Sequence, residues 1–182
     1  MRIRLISFLL LFVSSSLFAQ LKSPDEFLGY QLGTKFTPHY KIVNYFNQAA
    51  AAMPQMMKLE KYGETNEGRD LLLAFVSTPE NMSRLDEIRK NNLRLTDILK
   101  DKPADATAPV IVWLSYNVHG NEASSSEVSM KTLYELLDPS NTQTKNWLKN
   151  TVVLIDPCLN PDGRDRYVNW FTQMIGRDPN AS

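Results

Sequence analysis

Apolar and polar positions alternate in blocks whose period changes along the chain. From Tyr40 to Leu59, Ile42, Val43, Tyr45, Phe46, Ala49 and Ala50 recur at helical spacing. Thr37-Pro38 supplies a cap and first position, and Pro54 is expected to end or kink that helix. Met56 to Tyr62 and Leu71 to Val76 read as strands, and Asn66 and Gly68 in the intervening "GETNEGRD" suit a turn, so a hairpin is predicted. Met82 to Leu99 reads as a helix with Leu85, Ile88, Leu95 and Leu99 among charges, and "KDKPADATAP" as a surface connection.

A different pattern starts at Val110. "VIVWL", Val110 to Leu114, is an unbroken apolar run between Pro109 and Asn117, the mark of a strand buried on both faces and covered by helices. "SSSEVSMKTLYELL" follows as one such helix. Ser124 and Glu127 have capping-box spacing, and Met130, Leu133, Tyr134 and Leu137 fall on one face. A further helical turn surrounds Thr144 to Leu148, and Thr151 to Pro157, "TVVLIDP", repeats the buried-strand pattern. Strand, helix, strand in this order predicts a right-handed parallel crossover in a mixed α/β sheet. It sends "NVHGNE" and "CLNPDG" out from the same carboxyl edge, where open α/β sheets bind ligands.

Composition narrows the picture. The 182 residues are 43% hydrophobic, enough for one domain with a core, and 20 basic residues balance 20 acidic ones. With no long run of one sign, neither nucleic acid nor an anionic membrane is an expected partner. Residues 1–19 stand apart. Arg2 and Arg4 precede the apolar run Leu5 to Val13, which gives way to Ser14, Ser15, Ser16 and Ala19, so they read as a secretory signal peptide. That run is too short for a stable membrane anchor, which takes about 20 apolar residues. Residues 20–39 show no steady period and read as an extended lead-in, with the folded domain over 40–182. The lone Cys158 cannot form an internal disulfide and reads as a small buried hydrophobe beside a strand.

The candidate chemistry lies in "YNVHGNEASSSEV". His119 and Glu122, three residues apart on a strand-to-helix loop, can turn an imidazole nitrogen and a carboxylate toward one point. Zinc accepts both ligand types, and catalytic sites often pair two histidines with one glutamate and leave a position open for water. Gly120 permits a tight backbone between them, and Asn121 tolerates a left-handed conformation. Taken alone, His-x-x-Glu recurs by chance and a solvated loop explains it as well. Asn160-Pro161-Asp162-Gly163 taken alone is a β-turn. His39, the other histidine, reads as a surface or capping residue.

In combination these pieces are more specific. "HGNE" after one strand and "VVLIDPCLNPDGRDRY" after the next resemble the zinc metallocarboxypeptidases of the peptidase M14 family, the carboxypeptidase A type. The upstream "GETNEGRDLLLAFVS" is similar to the hairpin that precedes the metal strand in that family, so the resemblance runs from about Thr37 to the end. It implies a partial α/β/α sandwich on a mixed, largely parallel sheet, of which this chain holds the N-terminal portion. It implies Zn2+ as cofactor with His119 and Glu122 as its first two ligands, and a peptide or protein as substrate. It implies that an arginine downstream of the Asn-Pro-Asp-Gly turn polarises the scissile carbonyl. Arg177 lies nearest that place, while Arg164 and Arg166 are expected to be structural or solvated.

The resemblance further implies that the second histidine ligand, an Asn-Arg pair for the substrate's terminal carboxylate, a tyrosine and the glutamate base lie beyond Ser182. The expected function is zinc-dependent removal of C-terminal residues from peptides by a secreted or periplasmic enzyme, with the 182-residue chain inactive as written. A related zinc amidohydrolase or deacylase, or a non-catalytic exported binding module, fits the same residues.

Overall fold

A computed structural model describes residues 20–175. The stretch read as a signal peptide, residues 1–19, and Arg177 lie outside the described residues. The hairpin forms as the pattern predicts: β1 (Met57–Glu64) pairs antiparallel with β2 (Asp70–Val76), with a bulge between Lys61 and Gly63. β3 (Val110–Ser115) lies parallel to β4 (Thr151–Asp156), and β4 pairs antiparallel with β2, which gives one mixed sheet in the order β1-β2-β4-β3. Between β3 and β4 the chain makes α5 (Ser124–Leu137) and α6 (Thr142–Leu148), the predicted crossover.

The remaining helices are α1 (Pro24–Leu28), α2 (His39–Ala52), α3 (Pro79–Met82), α4 (Leu85–Leu95) and α7 (Pro161–Ile175). α2 ends two residues before Pro54, because the residue ahead of a proline is pushed out of the helical region. Its face of Ile42, Tyr45, Phe46 and Ala49 is fully buried against Met130, Leu133 and Leu137 of α5, Leu148 of α6, and Met57, Ala74, Val76, Val153 and Ile155 of the sheet. This is the core. The other face of the sheet presents Phe75, Ile111, Val152 and Leu154, which line one cavity together with Leu85 and Ile88 of α4. Helices therefore lie on both faces, and the α/β sandwich is partial as expected.

Three sequence expectations fail here for identifiable reasons. The lead-in is not extended throughout, because Ser23 caps α1 with a reciprocal box to Glu26, a signal too short to show a period. β3 is not buried on both faces. Among the described residues it is paired only with β4, and Val110, Val112 and Trp113 are 48%, 40% and 63% exposed. An apolar run reports the residues' preference and not the neighbours present to satisfy it. Ser124 and Glu127 do not form a capping box either: Ala123 is the N-cap, it makes no side-chain cap bond, and Glu127 turns inward.

Candidate metal centre

The parallel pairing of β3 and β4 continues past the strands. The N–H of Leu159 donates to the Tyr116 carbonyl at 2.9 Å and that of Asn160 to the Asn117 carbonyl at 3.2 Å, so the two carboxyl-edge loops leave side by side. Asn117 then takes a left-handed conformation, φ 55°, and turns the chain. Its buried side chain organises the turn. Nδ2 donates to the His119 carbonyl at 2.6 Å, while Oδ1 accepts from Ser126 Oγ at 2.9 Å. The left-handed residue is thus Asn117 and not Asn121.

The Glu122 N–H donates to the His119 carbonyl at 3.1 Å, so a single turn separates the two side chains, both of which are exposed. Gly120 serves a purpose that spacing does not reveal. A Cβ on it would lie 2.2 Å from the Gly163 carbonyl carbon, so backbone packs on backbone where "HGNE" crosses "NPDG". Asn160-Pro161-Asp162-Gly163 is accordingly not a free β-turn but the start of α7. Asn160 Oδ1 accepts from the Gly163 N–H at 3.0 Å, and Pro161 takes the first helical position.

In kind, His119 and Glu122 suit zinc: an imidazole nitrogen and a carboxylate oxygen on one turn of the loop. They are two donors, and among the described residues no group of three or more His, Cys, Asp or Glu side chains gathers as a metal cage.

One buried acid near this edge gave no sequence signal. Asp156, buried at the end of β4, accepts from Tyr62 Oη at 2.6 Å and from the Cys158 N–H at 3.2 Å, and burial holds its carboxyl above the usual range. Cys158 is a buried free thiol, as expected, and burial pushes it up to about 11. Arg164 is wholly buried in an ion pair with Glu127 at 2.9 Å, whereas Arg166 is exposed and reaches Glu67. His39 corrects the reading of a surface or capping histidine. It is 5% exposed at the start of α2, and neither ring nitrogen has a hydrogen-bond partner among the described residues. Thr37, expected as a cap, instead donates its N–H and hydroxyl to Glu127.

Residues 42–181 match the family model described as zinc carboxypeptidase. No curated protein matches the chain. Among solved structures it is similar to thrombin activatable fibrinolysis inhibitor (TM-score 0.53, 17% identity), with 72% of this chain and 27% of that one covered. Carboxypeptidase A from Helicoverpa armigera gives a TM-score of 0.52 at 20% identity, covering 74% and 28%. A metallo-carboxypeptidase from Burkholderia cenocepacia gives 0.50 at 17%, covering 71% and 28%. At these identities the likeness is one of fold, and the chain spans little more than a quarter of each of these structures.

Proposed function

The chain belongs to the zinc carboxypeptidase family, and from that premise we propose that it carries the first part of the active site of an exported enzyme that removes C-terminal residues from peptides or proteins. The observation that carries the reading is the family match together with His119 and Glu122 on the loop at the carboxyl edge, fixed there by Asn117 and by the Gly120–Gly163 contact.

His119 through an imidazole nitrogen and Glu122 through its carboxylate would hold Zn2+. When bound, the metal supplies a Lewis acid for the scissile carbonyl and lowers the pKa of a water. The chain's own contribution is placement. Asn117 sets the direction of the loop through the His119 carbonyl, and the Glu122 N–H bonds the same carbonyl, so the two residues share one turn. Arg177 is the candidate for the fixed positive charge beside the substrate carbonyl, a task suited to a permanently protonated donor.

Export is supported by Arg2, Arg4 and the apolar run that follows them. Among the described residues no helix is long and apolar enough to cross a membrane. The zinc reading is tested by titrating Zn2+ into the chain while following the His119 imidazole by NMR. A selective shift that disappears in Glu122→Ala is expected, and a His119 that ignores zinc would sink the ligand assignment. Chelator-sensitive release of C-terminal residues is expected from a chain that also supplies a second histidine ligand and a base, and none from these 182 residues.

A further inference from the structure

Behind the candidate ligands lies a buried polar cluster that the proposed chemistry does not use. The Arg164 guanidinium donates through Nη1 to the Thr37 carbonyl at 2.6 Å and through Nη2 to Glu127 Oε1 at 2.9 Å and the Ala123 carbonyl at 3.4 Å. The same Glu127 carboxylate receives the Thr37 N–H and hydroxyl, each at 2.6 Å, and Tyr30 Oη shares a hydrogen bond with Thr37 Oγ1 at 2.9 Å. One planar cation thus joins the lead-in, the first turn of α5 and the first turn of α7.

Stability is a poor account of such a cluster, since buried ion pairs are often no better than apolar residues of the same volume. What the rigid fork of a guanidinium adds is orientation. The groups it orients are specific. Ala123 directly follows Glu122, Glu127 sits one turn further along α5, and Gly163, the neighbour of Arg164, is the residue on which Gly120 packs. Two of the three hydrogen bonds of the guanidinium, to Ala123 and Glu127, therefore reach the chain that directly follows His119 and Glu122.

We infer that Arg164 is a positioning residue for that loop, acting through Ala123 and Glu127, and that the lead-in, through Thr37, is an integral part of the site. The inference rests on reading His119 and Glu122 as metal ligands, but its test does not require metal. Arg164→Lys keeps a positive charge beside Glu127, yet one ammonium cannot reach Thr37, Ala123 and Glu127 together. Residue-resolved amide exchange in the folded chain should then accelerate by about 10-fold or more at Glu122 and Ser125, whose N–H groups bond the His119 and Glu122 carbonyls, while the β1–β2 amides stay unchanged. Equal acceleration everywhere, as from a purely structural role, or none at Glu122 and Ser125, overturns the inference. Should Arg164→Lys not fold, the paired variant E127M/R164M, which leaves no lone buried charge, is read in the same way. Zinc titration at His119 in the unaltered chain separates the two ideas: a null there removes the ligand reading and leaves the exchange result standing.

Discussion

Single residues carry the sharpest consequences. Burial keeps the His39 imidazole below the ordinary histidine range; nearby Asp165 pulls it up, while Arg164 and Arg69 pull it further down. The unfolded imidazole takes up a proton near pH 6.5 and the folded one resists it, so this contribution to stability is complete above that pH and is lost as pH falls below it. Urea melts at pH 7.5 and 5.5 should show the native chain losing up to about 1.4 kcal/mol per pH unit relative to His39→Leu. Parallel curves would refute a titrating His39. Gly120→Ala should cost about 1–3 kcal/mol, because the atom it adds meets backbone that cannot swing away. Cys158, buried and held near 11, should resist thiol reagents at pH 8 until the chain unfolds. At this scale the sequence was legible where spacing maps onto one turn, as for His119 and Glu122. It misled where a side chain has a choice of partners. Ser-x-x-Glu is the same string whether the glutamate caps its own helix or, like Glu127, pairs with an arginine 37 residues away.

At the scale of elements, the hairpin does more than fill the sheet. Arg69, in its turn, donates to Asp162 Oδ1 at 2.7 Å and Asp165 Oδ2 at 2.8 Å, and Thr65 adds a hydroxyl to Asp162 at 2.7 Å. The first turn of α7 is therefore gripped by Arg69 from outside and by Arg164 from within. Since Arg69 is partly exposed, Arg69→Met should cost only about 1 kcal/mol in a denaturant melt while raising protease sensitivity near the start of α7. Strands, crossover and hairpin were readable from apolar runs, helical period and turn residues, because each signal lies within its own element. α1 was not, since five residues are too few to define a period, and neither was the burial of β3, which belongs to the neighbours of the strand.

At the scale of the whole molecule, β3 forms an edge of the sheet with Val110, Val112 and Trp113 exposed and no charge along it. Such an edge invites pairing with another strand. Sedimentation of the 182-residue chain should show concentration-dependent association that Val112→Lys reduces. Association unaffected by that change would place the contact elsewhere.

The crossing of Gly120 over Gly163 also bears on how the site comes into being. The two glycines are separated by α5, α6 and β4, so their contact cannot form until the whole crossover has been laid down and β4 has docked beside β3. Contacts between residues so far apart in sequence form late, after local helices and the β1–β2 hairpin. In refolding followed by pulsed amide exchange, protection at Glu122 should lag behind that of the hairpin, which makes the loop from Asn117 to Glu122 among the last parts of the chain to acquire its shape.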